Sequence, residues 1–287
     1  MLEFSTEFFP LTTPGPLKRL SDTWLSLRSA GVNGYSLTFG ALGAAKDKST
    51  DCLKYLRTVD RKTRPVMHLT CRGQTWKGLD RRLAQWQRLG VERVLALRGD
   101  AFRPRNDGPN NTVELVEFLN ERGLRTSVAA YPDGHPDAAD FDTAREQDWL
   151  LQKLNAGADQ VVTQFTPNTD GILRLHADLQ AYDPAVTLKA GVMPIADWQR
   201  YQTLSARCGI APEAGETLLF DALPEDSHNA LALGLAYANM RTLRAAGVRH
   251  FHLYGLNSDR LLLPLIQSLR ALDKAEAEAT LTNPTHH

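Results

Sequence analysis

Short polar stretches close otherwise apolar runs, and each carries a group able to do chemistry. Glu7 sits in STEFFP, between a hydroxyl pair and two phenylalanines, and Thr38 ends SLTF. His68 stands in MHLTC, and Arg98, Gly99 and Asp100 close LALRGD. Tyr131, Asp133 and His135 occupy AAYPDGHPDA, Thr163 and Gln164 end VVTQ, and Tyr254, Gly255 and Asn257 follow HL. Glu7 raises the sharpest question, because a carboxylate in a buried strand loses its water. Either it faces solvent or its proton affinity matters. An acid held beside Phe8 and Phe9 is expected to have a raised pKa and to keep its proton near neutrality.

Taken singly, each residue has an ordinary explanation. His68 reads as a hydrogen-bonded core histidine, and Asp100 as a turn residue or helix cap. Asp133 and His135 suit a loop, and Lys153 suits a helix terminus. Trp24, Trp76, Trp86, Trp149 and Trp198 read as packing, and RTVDRKTR (57–64) as a solvated helix end.

The elements that must position these groups share a repeated joint. In SAGVNGYSLTF, RLGVERVLAL, RGLRTSVAAY, NAGADQVVTQ and AAGVRHFHLY, a glycine (Gly31, Gly90, Gly123, Gly157, Gly247) follows an amphipathic stretch and precedes an apolar run. Glycine suits the left-handed position just past a helix end. The apolar run reads as a strand covered on both faces. Strands are expected near 2–8, 34–39, 64–70, 93–97, 126–130, 160–164, 187–191 and 250–254, with amphipathic segments such as 17–30, 78–89, 112–122, 144–156 and 228–246 between them. This alternation predicts an α/β fold, a single-domain (β/α)8 TIM barrel over residues 1–275 with a polar, disordered tail at 276–287. A doubly wound sheet is the alternative, weakened because no Gly-x-Gly-x-x-Gly follows the first strand. In a barrel the chemistry sits at the C-terminal strand ends. The polar tips would converge there, above strand interiors expected to be apolar.

Lys plus Arg and Asp plus Glu both number 33 in 287 residues, so the net charge is zero. That balance argues against a nucleic-acid or anionic-membrane partner. Cys52, Cys71 and Cys208 are far apart and lack metal-ligand spacing, so reduced thiols and no metal site are expected. The first residues show neither a basic leader nor a long apolar run, and a cytoplasmic protein is the expectation.

STEFFP, SLTFGA, HLTC, ALRGD, AAYPDGHPDA, KLNAGADQVVTQF, GVMPI and FHLYGLN occur in one order between residues 5 and 272. Together they resemble the bacterial methylenetetrahydrofolate reductase family, an FMN-dependent (β/α)8 barrel; ALRGD and the AAYP-x-x-HP-x-A loop are the most specific. The resemblance implies a ping-pong reaction. NADH or NADPH passes a hydride to FMN (FAD in some members), and 5,10-methylenetetrahydrofolate then accepts it to give 5-methyltetrahydrofolate. Glu7 matches the family's acid, which protonates N10 so that the five-membered ring opens. Asp100 matches the acid beside the flavin pyrimidine and the pterin, where a negative charge lowers the flavin potential. Thr38, His68, Arg98, Tyr131, His135 and Lys153 match flavin-binding positions, Lys153 being suited to balance the phosphate. Gly99 permits close backbone approach to the ring. Gln164 matches a pterin-contacting glutamine, a donor and acceptor in one group. Bacterial members are commonly homo-oligomers, and nothing in the sequence marks such an interface.

The substrate face departs from the family pattern. Thr166 and Pro167 replace aromatics, Arg200 stands where a glutamine is usual, and Leu204 replaces a stacking phenylalanine. Ser258 takes a usual arginine position, with Arg260 two residues on. A lost aromatic platform removes about 1 kcal/mol of stacking, and a moved arginine changes how an anionic tail is held. Gln164, Arg200, Leu204, Leu256 and Arg260 are the expected substrate contacts. The alternatives are a related flavin barrel with a changed substrate, the same folate reaction run oxidatively, or a non-catalytic flavin- or folate-binding barrel. Retention of both Glu7 and Asp100 argues against the last.

Overall fold

A computed structural model of the chain describes residues 1–39, 48–99, 104–135, 142–194 and 197–282. Eight parallel strands close into a barrel in sequence order: β1 (Glu3–Phe8), β2 (Val32–Leu37), β3 (Val66–Thr70), β4 (Arg93–Leu97), β5 (Arg125–Ala130), β6 (Gln160–Thr163), β7 (Thr187–Val192) and β8 (His250–Leu253). The seam pairs Glu3 to Thr6 of β1 with His250 to Leu253 of β8. Helices α1 (Pro14–Ser29), α2 (Lys48–Val59), α3 (Trp76–Arg88), α4 (Thr112–Asn120), α5 (Thr143–Asn155) and α6 (Thr169–Tyr182) follow the first six strands in turn. The five glycines of the joints all adopt left-handed backbone, with φ of +97, +83, +70, +106 and +100° at Gly31, Gly90, Gly123, Gly157 and Gly247. Each therefore turns the chain from a helix into the next strand without the steric cost a Cβ would bring.

The link from β7 to β8 is longer than one helix. It holds α7 (Trp198–Cys208), α8 (Ala214–Ala222), a single 3-10 turn (Glu225–Ser227) and α9 (His228–Ala245). The first two were not legible as separate elements. They carry a small core of their own, in which the Trp198 and Phe220 rings stack at 4.5 Å and 4°. The last helix, α10 (Leu262–Thr282), runs beyond residue 275. Among the described residues no helix is long and apolar enough to cross a membrane.

Two expectations need correction. The strand interiors are not apolar on both faces. Successive side chains alternate between faces, and Phe4, Phe8, Leu37, Met67, Val94, Val128 and Phe251 join the main core that packs beneath the helices. The alternate positions face the barrel axis and are largely polar: Ser5 bonds His252, Ser36 bonds His68, and Ser127 bonds Arg93 and Gln160. Barrel axes are usually filled by branched apolar residues, which is why an apolar run hid this layer.

The second correction is Asp60, in the charged run read as a solvated helix end. Its side chain is 2% exposed. It accepts from Trp24 Nε1 at 3.0 Å and from the backbone N–H groups of Lys62 and Thr63 at 2.9 and 3.2 Å, and it pairs with Arg28 at 3.2 Å. Burial pushes this carboxyl up, but the bonds from Thr63, Trp24 and Lys62 outweigh burial and bring it down to about 2. Asp60→Ala is expected to cost about 3 kcal/mol, because Trp24 and two amides lose their acceptor. Urea unfolding at pH 7 measures it. Since the folded pKa is depressed, the stabilisation is present above the ordinary value and is lost as pH falls toward 2. The gap between parent and variant therefore narrows in acid.

Of the tryptophans, Trp24, Trp86 and Trp198 are buried, whereas Trp149 is 38% exposed. Cys52 and Cys71 are buried free thiols and Cys208 is half-buried.

Candidate active site

Glu7 lies near the C-terminal end of β1 on the face toward the axis, in register with Ser36 of β2. Its carboxyl is 3.7 Å from His68 Nε2, and the same nitrogen is 3.0 Å from Ser36 Oγ. Burial alone raises the Glu7 pKa to about 7, and burial alone lowers that of His68 to about 4. Near neutrality the histidine is therefore uncharged, and the pair is not a salt bridge. Phe8 is not the shield that the sequence suggested. Its ring points to the opposite face of the strand, against Trp24 and Tyr35 at 6.4 and 6.1 Å. The barrel interior itself removes the water from Glu7.

The strand end is clamped from across the barrel seam. Asn257 accepts from the Phe9 N–H at 2.8 Å and donates to the Phe9 carbonyl at 3.0 Å. Leu256 and Asn257 both adopt left-handed backbone, φ 50 and 65°. Asparagine tolerates that conformation and leucine does not favour it, so the turn stores strain beside Glu7. Tyr254 donates its hydroxyl to the Thr163 carbonyl at 2.9 Å. Burial and then the nearby Glu7 charge push the Tyr254 phenol well above its usual range, and the same two causes raise the Cys208 thiol. Ser36, Cys208 and Glu146 were missed as site neighbours. Ser36 could have been found from its spacing, two residues before Thr38 on the same strand face.

The residues expected to hold a flavin sit on neighbouring strand ends. Thr38 is buried just past β2, and its hydroxyl has no partner among the described residues. Gly99 has φ +83°, and a Cβ there would come within 2.9 Å of Thr70, so only glycine fits. Asp100 lies outside the described residues. The Tyr131 and His135 rings meet edge to face at 4.5 Å. Lys153 reaches out of α5 and donates to the Ala129 carbonyl at 2.7 Å, so it does not act at the helix terminus. Burial lowers its amine to about 8, partly countered by Glu146 two turns earlier on the same helix. Burial raises Glu146 against the pull of Lys153 and Arg98, so these three share one neighbourhood. A buried ammonium with two further N–H donors, an unused buried hydroxyl and a side-chain-free glycine suit an anionic, flat aromatic cofactor.

On the other side, Arg200, Leu204, Leu256 and Arg260 line one cavity of about 240 Å³, together with Tyr201 and Tyr254. Asp197 caps α7 through the Arg200 N–H at 2.9 Å, which fixes where Arg200 starts. Gln164 is not in this cavity wall. Its Oε1 accepts from the Phe165 N–H at 3.1 Å. Gly191 of β7 packs beneath Gln164 and Tyr254, where a Cβ would lie 2.9 Å from the Gln164 carbonyl oxygen and 2.8 Å from the Tyr254 ring.

The methylenetetrahydrofolate reductase family model matches residues 1–270. The 5,10-methylenetetrahydrofolate reductase of Pectobacterium carotovorum is 29% identical over 277 residues, 93% of this chain and 90% of its own. That of Escherichia coli K12 is 27% identical over 275 residues, with the same coverage. Methylenetetrahydrofolate reductase (NADH) 1 of Arabidopsis thaliana is 26% identical across 97% of this chain but 50% of its own, so the chain spans about half the length of the plant relatives it matches. A Clostridium thermocellum protein that binds two copies of 5-methyl-5,6,7,8-tetrahydrofolic acid superposes with a TM-score of 0.64 at 14% identity over 94% of this chain and 95% of its own, a likeness of fold alone. With the family model running from β1 into α10, the chain belongs to the methylenetetrahydrofolate reductase family.

Proposed function

We propose that the protein reduces 5,10-methylenetetrahydrofolate to 5-methyltetrahydrofolate, with NADH or NADPH as hydride donor and a bound flavin, FMN, as carrier. The observation that carries this reading is Glu7: a carboxyl at a barrel strand end, raised to about 7 with a neutral histidine beside it. The flavin, when bound, supplies the hydride relay between the two substrates. Thr38, His68, Arg98, Gly99, Tyr131, His135 and Lys153 would hold it, Lys153 at the phosphate, and Asp100 would set the charge beside its pyrimidine edge.

Glu7 gives its proton to N10 of the folate. The bond from the methylene carbon to N10 then breaks, leaving an iminium at N5 ready for hydride. A charged His68 at 3.7 Å would pull the Glu7 pKa down and waste the acid; burial prevents that. Gln164 pairs with the pterin edge as donor and acceptor. Arg200 and Arg260 offer two guanidinium groups to an anionic tail, and Leu204 and Leu256 form apolar walls.

Stopped-flow absorbance tests the reading. Purified yellow protein is bleached by NADH or NADPH, then recoloured by methylene folate. Failure of either nicotinamide to bleach it overturns the proposal. Bleaching without folate-dependent recolouring supports the second reading, a flavin barrel with another substrate, which the Arg200 and Leu204 cavity wall favours.

Lys153→Met is expected to weaken FMN binding by about 10- to 100-fold, the worth of one charge-assisted phosphate contact, read by flavin fluorescence quenching. Because the amine loses its proton above about 8, parent affinity falls as pH rises through that value, while the variant's does not.

A further inference from the structure

We propose that Glu7 receives its protons from the floor of the barrel, along a polar column built by Ser5, His252 and His68. The inference rests on the reading above. In that reaction the Glu7 O–H bond breaks, an N10–H bond forms and the methylene–N10 bond breaks; hydride then forms the new C–H bond. The net process takes up one proton per turnover and leaves Glu7 as a carboxylate. Hydride supplies no proton, so the carboxylate must be reloaded from water.

The mouth is a poor source. The Glu7 side chain is only 13% exposed, and ligands bound at the mouth would cover it further. The floor is connected. Ser5 stands two residues before Glu7 on the same strand face, and lines a floor cavity of about 250 Å³ with Glu3, Arg93, Arg125 and Lys189. Ser5 Oγ is 2.8 Å from His252 Nδ1, its partner across the β1–β8 seam. His252 is 4% exposed, and its Nε2 is buried without a partner among the described residues. Phe251 and Met67 face the outer core, so the adjacent His252 and His68 both point to the axis, and Lys189 and His68 add to burial in lowering the His252 pKa. His68 Nε2 then faces the Glu7 carboxyl at 3.7 Å.

Chemistry favours this set over the usual filling. Each neutral imidazole has one donor and one acceptor nitrogen, so it can take a proton on one side and release one on the other. Burial keeps both rings neutral. A water accepted at the unpartnered His252 nitrogen would join the two rings. Lys189, lowered to about 8 by burial and then by Arg93, and held up by Glu3, exchanges protons with the floor solvent near neutrality. His250 and Glu3 pair at 3.3 Å beside it, and Arg93 is tied to Asp159. Burying hydroxyls and imidazoles where valine or leucine would do costs stability, and a proton route is the return on that cost.

Ser5→Ala and His252→Gln test the route in two ways. In flavin-free protein, infrared spectroscopy follows the C=O band of protonated Glu7, assigned by its loss in Glu7→Gln, as it shifts after a jump into D2O. His252→Gln is expected to slow that exchange about tenfold or more, and Ser5→Ala to slow it less. In the flavin-loaded enzyme, below about pH 7, a single reoxidation by methylene folate keeps its parent rate, because Glu7 starts protonated. Steady-state turnover falls about fivefold or more, with a larger solvent deuterium effect. Exchange and turnover within about twofold of the parent in both folded variants would mean that protons arrive through the mouth, and the proposal falls. If nicotinamide never bleaches the parent flavin, the functional reading falls instead, and the exchange measurement on flavin-free protein still decides the route.

Discussion

Under the proposed function, Glu7→Gln is expected to leave reduction of the flavin by nicotinamide intact and to lower folate reduction by about 10²- to 10⁴-fold, the usual worth of a general acid. Glutamine keeps the size and hydrogen-bonding reach of the side chain and lacks only the acidic proton. The first half-reaction needs no proton from this position, so rapid mixing with NADH or NADPH should give parent rates. Equal loss in both half-reactions would reassign Glu7 to flavin binding. The pH profile makes the same distinction. In the parent, folate reduction declines as pH rises through about 7, when the carboxyl gives up its proton; the residual rate of the variant is flat there.

Stability carries a second signature of the same group. Its folded pKa is raised from 4.5 to about 7. Between those values the folded chain keeps a proton that the unfolded chain has lost. Stability is therefore full below the lower value and falls as pH rises through the upper one, by about 3 kcal/mol in all. Glutamine has no such loss, so urea unfolding at pH 8 should find the variant more stable than the parent. His68 works in the other direction. Lowered from 6.5 to about 4, it costs stability as pH falls across that interval.

Gly191→Ala is expected to cost about 3 kcal/mol. The added methyl would lie 2.4 Å from the Thr163 carbonyl and 2.9 Å from that of Gln164, both backbone atoms, and 2.8 Å from the Tyr254 ring. Backbone cannot turn aside as a flexible side chain can. The Gly191 N–H also bonds Thr163 Oγ1 at 2.8 Å, so β6 and β7 cannot separate without losing it. The strain falls on Gln164 and Tyr254, and the KM for folate should rise more than that for nicotinamide. Gly34→Ala is the control. A Cβ there meets nothing within 4 Å, and its effect should stay within about 0.5 kcal/mol. Thermal or urea unfolding of both variants tests the contrast.

The barrel was legible because its punctuation is chemical. A helix that ends in left-handed backbone wants glycine, and Gly31, Gly90, Gly123, Gly157 and Gly247 all adopt it. Strand ends were legible because polar tips follow apolar runs. The axis was not, because outward Phe4, Met67 and Val94 dominate each run while inward Ser5, His68 and Arg93 look like exceptions. Asp60 was hidden by its basic neighbours; only Trp24, 36 residues away in sequence, reveals why it is buried. Helices α7 and α8 bury residues against each other rather than against the barrel alone, so their pattern does not repeat the unit. The raised pKa of Glu7 followed from its burial, but its insulation comes from the axis and not from the adjacent phenylalanine.

The β1–β8 seam has a consequence for biosynthesis. Its pairs, such as Ser5 with His252 and Thr6 with Leu253, join positions about as far apart as the chain allows. Contacts of such sequence separation form late, after nearer ones have shortened the loop. A chain emerging from the ribosome can build its middle strands while the first still waits for its neighbour. The segment bearing Glu7 is thus locked down only once the final strand has been made, and a half-finished polypeptide cannot yet hold that carboxyl in place.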